Sequence, residues 1–463
     1  MTLIKSISGI RGTIGGKVSE NLTPLDAVKF AAAYGTWIKK QATKEKVTVV
    51  IGRDARLSGE MIQNLVQFTL VGLGIDVIDL GLSTTPTVEI AVPLEKADGG
   101  IILTASHNPK QWNALKLLNH KGEFLSGADG AEILKLAEND DYSFAAVDDI
   151  GEVTKNDAYI DIHIDEVLEL SLVDADKIKA ANFKVVVDAV NSTGGIAIPK
   201  LLKELGVQVI EMYCKPTGHF PHNPEPLKEH LSEICERVVA EGADFGIVVD
   251  PDVDRLAFIS NDGEMFGEEY TLVACADYIL SKTKGNTVSN LSSSRALRDV
   301  TEKHGGTYEA AAVGEVNVVT LMKKNNTVIG GEGNGGIIYP ESHYGRDALV
   351  GVALFLTHLA EKGGTVAALR ASYPAYFMSK KKIELTPELD VDGILATIAK
   401  TYKAENLTTI DGVKIDFPEN WVHLRKSNTE PIIRIYTEAH TQQEADVLAD
   451  RFIAEISKIA GLH

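Results

Sequence analysis

The sequence predicts an α/β protein with three similar αβ domains, which have mixed and mostly parallel sheets, followed by a C-terminal α+β domain. Apolar strand-like runs alternate with amphipathic helical stretches, which is the pattern of parallel sheets covered by helices. The same order of strand, loop, helix, Gly and strand occurs three times along the chain. The length of 463 residues, at roughly 150 residues per domain, leaves room for about three domains or more.

The three copies have the same parts in the same order. Each helix begins near Ser, Asp or Asn and ends at Gly, as helix caps require. Their first strands with the following loops are 47–54, 184–192 and 286–294, and their second strands are 75–80, 207–212 and 307–310. Each copy then continues into a further strand that ends in a polar loop, at 100–109, 245–255 and 327–336. Because ligands bind at the carboxyl ends of strands in open α/β sheets, these loops predict one composite site.

The pattern changes near residue 372. Alternating apolar runs at 421–425 and 431–436, with a final helix from Thr441, predict an α+β domain, and Tyr373-Pro374 resembles a hinge. The predicted domains are residues 1–152, 153–256, 257–372 and 373–463.

Charge and cysteine content exclude several classes of protein. With 46 Lys and Arg against 65 Asp and Glu, the net charge is −19, so the chain lacks the basic footprint that nucleic acids and anionic membranes need. The three cysteines form no CxxC pair, which argues against a disulfide framework or a thiolate zinc site. No signal peptide or membrane-spanning run is recognisable, and we expect a cytoplasmic protein.

The loop after the strand at 245–249 predicts a metal site. Asp250, Asp252 and Asp254 alternate with Pro251 and Val253, and three carboxylates on one curled loop repel one another unless a cation joins them. Oxygen ligands favour Mg²⁺ over zinc. The alternative is a solvated acidic turn.

Ser106 and His107 stand at the end of the strand near residue 100. No GxSxG motif is present, so a hydrolase triad is not supported. A phosphorylated Ser106 near the aspartates would bring charge and acceptor oxygens that a metal and Arg residues could hold. The alternative is that Ser106 caps a helix.

Two further loops carry groups suited to a sugar phosphate. The run 331–336 satisfies GxGxxG, but Pro340 denies the helix that a dinucleotide site requires, so Glu332 and Asn334 suit sugar hydroxyls better. Arg425, with Arg434 on the next strand, concentrates cations suited to a phosphate. The alternatives are a simple turn and a surface hairpin. His219 and His222 lie in a Pro-rich stretch that we interpret as an ordinary rigid loop.

With these loops in hand, the chain resembles the α-D-phosphohexomutase family over essentially its whole length. The motifs that carry the resemblance are 9–13, 104–109, 250–255, 331–335 and 425–434. The resemblance implies four domains around a central cleft, a catalytic phosphoserine at Ser106 and Mg²⁺ held by Ser106 and the three aspartates. It also implies that Arg11 and Arg255 steady the phosphoserine and that Lys116 is a candidate proton shuttle with His107. The sugar and its phosphate would contact a set of residues in the last two domains: Glu332, Asn334, Arg425, Ser427, Asn428, Thr429 and Arg434.

One departure from the family pattern concerns the loop at 331–336. Many members have Ser and His where this chain has Asn334 and Gly336, so the acid–base role of that histidine does not transfer. His343 and Arg346 are candidates to compensate. The Asn-containing loop is more similar to the phosphoglucosamine mutases and related archaeal-type members than to the phosphomannomutase/phosphoglucomutase branch.

The resemblance therefore implies an intramolecular phosphotransferase. It would interconvert hexosamine 6-phosphate and 1-phosphate, glucosamine phosphate first, through a 1,6-bisphosphate, with glucose or glucosamine 1,6-bisphosphate as activator. We expect a small-molecule sugar phosphate as partner and a monomer or homodimer. The alternatives are the phosphomannomutase/phosphoglucomutase activity, a haloacid-dehalogenase-like phosphatase that uses Asp250, and a non-catalytic sugar-phosphate-binding protein.

Overall fold

The computed structural model describes residues 2–6, 9–384, 389–426 and 432–461. The chain forms two compact units. The first unit comprises Met1–Tyr278 and Asn334–Leu369, and the second comprises Ile279–Gly333 and Arg370–His463. The third αβ repeat is therefore divided between the units.

The first αβ domain contains a seven-stranded mixed sheet. Its strands are β1 (Ile4–Ser6), β2 (Gly9–Thr13), β3 (Thr48–Arg53), β4 (Asp76–Leu82), β5 (Gly99–Leu103), β6 (Trp112–Leu118) and β7 (Val153–Lys155). Their order is β1-β2-β6-β5-β3-β4-β7, and β3 runs parallel to both β4 and β5. Its helices are α1 (Pro24–Gln41), α2 (Gly59–Gly72), α3 (Thr85–Leu94) and α4 (Gly127–Glu138). The parallel strands end together at one edge, and the loop of Ser106 leaves from that edge.

The second αβ domain contains a four-stranded sheet. Its strands are β8 (Lys184–Asp188), β9 (Gln208–Met212), β10 (Phe245–Val249) and β11 (Leu256–Ser260), and its helices are α5 (Tyr159–Leu168), α6 (Ala175–Ala181), α7 (Gly194–Glu204) and α8 (Ser232–Glu241). The strand order is β11-β10-β8-β9, with β8 parallel to β9 and β10, and β11 antiparallel to β10. The sheet therefore continues past the predicted boundary at residue 256, through the hairpin that contains the aspartate loop.

The third repeat supplies parallel strands to the second unit. After α9 (Glu268–Lys282), strand β12 (Thr287–Asn290) lies between β13 (Tyr308–Ala311) and β14 (Ile329–Glu332), with α10 (Ala296–Lys303) and α11 (Glu315–Asn325) in the connections. Strand β15 (Gly336–Ile338) and the buried helix α12 (Ala348–Lys362) belong to the first unit. No helix directly follows the glycine loop at 331–336, as the sequence predicts.

The C-terminal domain is α+β. After α13 (Val366–Ala371), its sheet contains β16 (Phe377–Glu384), β17 (Asn406–Thr408), β18 (Val413–Asp416), β19 (Trp421–Lys426) and β20 (Ile432–Ala439), in the antiparallel order β16-β20-β19-β18-β17. The helices are α14 (Val391–Thr401) and α15 (Gln442–Ala460), and Thr441 caps α15 through a reciprocal capping box with Glu444. Leu448, Phe452 and Ile456 on α15 belong to the buried core of this domain.

These observations confirm the predicted fold class of three αβ repeats and a C-terminal α+β domain. Cys214, Cys235 and Cys275 are free thiols, as the absence of a CxxC pair predicts. Among the described residues, no helix combines the length and the apolar character needed to cross a membrane.

A buried histidine makes the stability of the second unit depend on pH. His423 Nε2 donates to the Asp411 carbonyl oxygen at 2.7 Å, and His423 Nδ1 lies 2.9 Å from Ser292 Oγ. Burial, assisted by the charges of Lys414 and Arg425, lowers the pKa of His423 to about 4. The unfolded chain has an ordinary His pKa of about 6.5, so it binds more protons than the folded chain between these values.

We therefore predict that the unfolding free energy of this unit rises with pH from about 4 to about 6.5 and that this contribution is fully present above that window. In the variant His423→Gln, the rise should be smaller. The measurement is urea unfolding at a series of pH values, followed by tryptophan fluorescence in a background with Trp37→Phe and Trp112→Phe, so that the buried Trp421 alone reports. An equal pH dependence in both proteins would show that His423 is not the group responsible.

Candidate active site

Ser106 stands on a strained turn that begins where β5 ends. Its φ of 49° lies in the left-handed region, which non-glycine residues occupy at a cost, and such strain concentrates at functional sites. The chain turns into β6 and not into a helix, so the alternative interpretation of Ser106 as a helix cap is wrong. The Ser106 hydroxyl is directed at the second domain, where Oγ donates to Asp250 Oδ2 at 2.7 Å.

A fully buried arginine fixes this turn, and the sequence analysis did not find it. The Arg56 guanidinium donates to the carbonyl oxygens of Ser106, Asn108, Pro109 and Trp112 at 2.5–3.0 Å. Its Nε donates to Asp54 Oδ2 at 2.9 Å, and the same oxygen accepts from Thr104 Oγ1 at 2.7 Å. A planar guanidinium with five donors suits such a set of convergent carbonyls. The signal in the sequence was the strand-end Asp-Ala-Arg at 54–56.

The three aspartates of the predicted metal loop converge, as predicted. Each is fully buried, and one carboxylate oxygen from each lies within 4.8 Å of the others. Asp250 Oδ1 accepts from the backbone N–H groups of Asp254 and Arg255, which closes the loop on itself. Val253 at the turn has φ of 65°, a strained conformation for a β-branched residue. The alternative of a solvated acidic turn is wrong.

Two cations contact the aspartate triad, which consists of Asp250, Asp252 and Asp254, and both lie on Oδ2 atoms. Lys116 on β6 places Nζ 2.7 Å from Asp252 Oδ2 and 3.4 Å from Asp254 Oδ2, and Arg346 Nη2 lies 2.7 Å from Asp254 Oδ2. Burial acts to lower the pKa of Lys116, but the charges of Asp252 and Asp254 outweigh it and raise that pKa. Lys116 is therefore held as an ammonium.

The Oδ1 atoms of two triad aspartates fit a hard divalent cation. Asp252 Oδ1 and Asp254 Oδ1 are buried and have no hydrogen-bond partner among the described residues. Burial, followed by the charges of Asp252 and Asp254, raises the pKa of Asp250 well above its usual range. Buried carboxylate oxygens without donors are costly unless a cation coordinates them, and oxygen-only ligands are those of Mg²⁺. The triad could therefore bind a metal.

Ser106 also lies among positive side chains. Its Oγ is 3.3 Å from His107 Nδ1, and burial together with the charges of Arg255 and Arg346 lowers the pKa of His107 well below its usual value. Arg11, in the middle of β2, adds to the same effect. His107 is therefore a neutral imidazole at neutral pH.

Glu225 is a second residue that the sequence analysis missed. Its Oε1 accepts from Arg255 Nη1 at 3.0 Å and lies 3.9 Å from His107 Nε2. It comes from the Pro-rich stretch that we interpreted as an ordinary loop, where His222 Nε2 also lies 3.0 Å from Asp188 Oδ2. The clue was the acidic residue between Pro224 and Pro226, because rigid flanks fix the direction of a side chain.

Asn334 and the two candidate replacements for the family histidine also lie in the first unit. Asn334 Oδ1 accepts from the Gly336 N–H at 3.2 Å. His343 places Nε2 3.1 Å from Asp347 Oδ2 and Nδ1 3.4 Å from Glu89 Oε2, whereas Arg346 contacts the aspartate triad. The first unit thus brings together Ser106, His107, Lys116, Arg255 and the aspartates.

The other predicted binding residues lie in the second unit. Glu332 Oε1 accepts from Asn290 Nδ2 at 2.8 Å and from the Gly314 N–H at 3.2 Å. Arg434 on β20 is directly opposite Arg425 on β19 and Lys382 on β16, so three cations share one face of the sheet. Two of these cations have carboxylate partners in this structure: Arg425 Nε lies 2.8 Å from Asp411 Oδ2, and Lys382 Nζ lies 3.3 Å from Glu384 Oε1. Ser427, Asn428 and Thr429 lie outside the described residues.

Comparisons with known proteins agree with this arrangement. Four consecutive domain profiles of phosphoglucomutase/phosphomannomutase match the chain: alpha/beta/alpha domain I at residues 3–143, domain II at 161–263, domain III at 267–376 and the C-terminal domain at 379–455. A phosphoglucomutase/phosphomannomutase of Thermococcus kodakarensis is 38% identical over 94% of this chain and 95% of its own length. A probable phosphoglucosamine mutase of Methanopyrus kandleri is 32% identical over 96% of both chains.

Solved structures show the same fold. A phosphoglucomutase/phosphomannomutase family protein of Burkholderia thailandensis superposes with a TM-score of 0.85 at 24% identity, over 99% of this chain and 98% of its own. N-acetylphosphoglucosamine mutase of Aspergillus fumigatus, in complex with GlcNAc-6P and magnesium, superposes with a TM-score of 0.56 at 16% identity, over 91% and 85%.

Repeated αβ domains and the four matched profiles define an enzyme that moves a phosphoryl group within a sugar phosphate, a phosphohexomutase. The chain belongs to the phosphoglucomutase/phosphomannomutase family. The alternative that the chain is a haloacid-dehalogenase-like phosphatase is therefore wrong.

We predict that Arg56→Lys lowers kcat by about 100-fold or more, because an ammonium cannot hold four carbonyls and an electrostatic site depends on its geometry. Hydrogen exchange at residues 104–109 should accelerate in the variant, while exchange in the strands of the second domain should not. Wild-type exchange in this turn, together with wild-type kcat, would contradict a role of Arg56 in holding it.

We predict that Asp252→Asn weakens Mg²⁺ binding by about tenfold or more and lowers kcat more than sugar-phosphate affinity, because removal of a ligand charge reduces attraction for the ion. The measurements are Mg²⁺ titration calorimetry and steady-state kinetics. Asp262→Asn, at an exposed turn after β11, is the matched control and should change neither. Undiminished wild-type activity in the presence of a chelator would sink the metal assignment.

Proposed function

We propose that this enzyme converts glucosamine 6-phosphate to glucosamine 1-phosphate through a phosphoserine at Ser106 and a 1,6-bisphosphate intermediate. The observation that carries the proposal is the hydrogen bond from the Ser106 hydroxyl to Asp250 Oδ2. It places a buried nucleophile, on a strained backbone, against the buried aspartate triad. The preference for the amino sugar rests on the names of several archaeal relatives and on the Asn-containing loop at 331–336.

The phosphoryl group would pass from Ser106 Oγ to the free hydroxyl of the sugar phosphate. The Oγ–P bond breaks as the new O–P bond forms, and the hydroxyl proton must be accepted nearby. His107 is suited to accept it because its imidazole is neutral, and Lys116 is suited to donate a proton because it is held as an ammonium. The reverse transfer from the other end of the bisphosphate returns the phosphoryl group to Ser106.

The surrounding charges would stabilise the transfer. Asp250, Asp252, Asp254 and Ser106 would hold Mg²⁺, which when bound supplies positive charge to the phosphoryl oxygens. Arg11 and Arg255 would steady the phosphoserine. Because Glu225 holds the Arg255 guanidinium in this structure, a phosphate at Ser106 would have to share or replace that contact.

The binding of the rest of the substrate is assigned to the second unit and to Asn334. Glu332 and Asn334 would contact sugar hydroxyls. Arg425 and Arg434 would bind the phosphate that does not react, and their facing positions on β19 and β20 support this because two guanidinium groups suit a phosphate. The phosphate would have to share Arg425 with Asp411. Ser427, Asn428 and Thr429 complete this proposed set.

Phosphomannomutase/phosphoglucomutase activity is the second candidate, and the name of the Thermococcus kodakarensis relative favours it. Glucose or glucosamine 1,6-bisphosphate is the proposed activator. The monomeric or homodimeric state, the cytoplasmic location and the domain boundaries stay predictions.

The test is a mutase assay with the 6-phosphates of glucosamine, glucose and mannose, each with Mg²⁺ and glucose 1,6-bisphosphate. We expect the highest kcat/KM for glucosamine 6-phosphate. A higher value for glucose or mannose would move the enzyme to the second candidate, and tight binding without turnover of any sugar would favour the non-catalytic alternative.

Ser106→Ala should abolish turnover, because among the described residues Ser106 supplies the hydroxyl that donates to Asp250. Intact-mass analysis after incubation with glucose 1,6-bisphosphate should show one phosphoryl group on the wild type and none on the variant, and thermal unfolding checks that the variant is folded. A phosphoryl group on the variant would place the nucleophile elsewhere.

A further inference from the structure

Gly336 leaves a space that the side chain of Arg346 fills. A Cβ atom at residue 336 would lie 2.3 Å from Arg346 Cδ and 3.0 Å from Arg346 Cγ, which is closer than real contacts allow. Gly336 does not have a positive φ, whereas the preceding Gly335 does, at 86°. Residue 336 is therefore a glycine because of the arginine and not because of its backbone conformation.

From this space Arg346 reaches the reaction centre. Its Nη2 donates to Asp254 Oδ2 at 2.7 Å, and the residue is buried. The contact is to Oδ2 of Asp254, so Oδ1, which is buried and has no hydrogen-bond partner among the described residues, stays available to the proposed metal. The Ser106 hydroxyl donates to Asp250 Oδ2 at 2.7 Å, so Arg346 and Ser106 contact the same aspartate triad.

The next residue anchors the arginine. Asp347 begins α12 and accepts from the N–H groups of Leu349 and Val350 at 2.8 and 3.2 Å. Its other carboxylate oxygen lies 2.8 Å from His163 Nε2 and 3.1 Å from His343 Nε2. His343 is thereby engaged in anchoring this loop, and of the two candidates for the missing sugar-loop side chain only Arg346 contacts the triad.

We propose that Arg346 replaces the side chain missing at residue 336: as a positioning residue it holds Asp254 and supplies a permanent positive charge to the phosphoryl transfer. A guanidinium stays protonated, so it stabilises charge and cannot carry the proton, which leaves that task to His107 and Lys116. The inference rests on the mutase reaction and on Ser106 as its phosphoryl carrier, and not on which hexose is the substrate.

The test is a double-mutant cycle between Gly336→His and Arg346→Ala, with kcat and KM for the sugar phosphate that the substrate comparison selects. Arg346→Ala should lower kcat by about 10- to 100-fold, the range for loss of one charge-assisted contact, while KM changes by less than about threefold. Gly336→His alone should also lower kcat, because its Cβ overlaps Arg346. The kcat of the double variant should be at least about tenfold higher than the value expected if the two single losses multiplied.

Two further variants separate charge from structure. Arg346→Lys keeps a cation and should retain more kcat than Arg346→Ala. Arg237→Ala, which removes a half-exposed arginine from an i,i+4 ion pair on α8, is the matched control and should leave kcat unchanged. Magnesium binding, measured by calorimetry with Mg²⁺ alone, should weaken much less than kcat falls in Arg346→Ala, because the variant loses the contact to Asp254 Oδ2 but also loses a positive charge that repels the ion.

Thermal unfolding tests, without any assay of activity, whether a side chain at residue 336 and the side chain of Arg346 compete for the same space. Gly336→His should lower the unfolding midpoint clearly in the presence of Arg346 and much less in the Arg346→Ala background. Additive losses in both the midpoint and kcat would overturn the proposal, as would a loss of Mg²⁺ affinity in Arg346→Ala as large as its loss of kcat. If the wild type turns over none of the sugars, the proposed function fails, and the unfolding cycle still decides whether the two side chains compete for one place.

Discussion

The structure of the first unit depends on the burial of three carboxylates within 4.8 Å of one another. Such a group is unstable without compensating charge, because both desolvation and mutual repulsion disfavour the ionised forms. The compensation comes from distant parts of the chain: Lys116 from β6, Arg346 from the loop before α12, and Thr85 at the start of α3, whose Oγ1 donates to Asp252 Oδ2 at 2.5 Å. The triad thereby ties two αβ domains and part of the third together, and Oδ1 of Asp252 and of Asp254 has no hydrogen-bond partner among the described residues.

The three αβ repeats use one loop device for different purposes. After the first strand of each repeat, a side-chain oxygen accepts from the backbone N–H two residues further on, at 2.9 Å, in an Asx turn; the residues are Asp54, Asp188 and Asn290. The remaining side-chain atom then serves the local site. In the first repeat, this atom of Asp54 accepts a hydrogen bond from Arg56. In the second, that of Asp188 is hydrogen-bonded to His222, and in the third, that of Asn290 donates to Glu332. A repeated backbone turn thus holds a different side chain in each repeat.

The electrostatics of the site oppose those of the whole protein. The chain carries a net charge of −19, yet burial together with the charges of Arg255, Arg346 and Arg11 lowers the pKa of His107. An anionic substrate would gain nothing from the global charge and would depend on such local cations. Lys116 has the opposite environment, because the charges of Asp252 and Asp254 outweigh burial and raise its pKa. A neutral imidazole and an ammonium in one site are suited to accept and to donate a proton.

The sequence by itself determined the class of fold, the strands and helices of the repeats, and the polar loops at residues 104–109 and 250–255. These are local properties, since apolar periodicity, caps and strand-end polar clusters are all written within a few residues of one another. It did not identify Arg56, Glu225 or the place of Arg346 in the space above Gly336. Each of these depends on contacts between segments far apart in the chain, such as Arg56 with the carbonyls of the Ser106 turn. Only tertiary structure brings such groups together, because long-range contact is set by how sheets and loops pack and not by any spacing along the sequence.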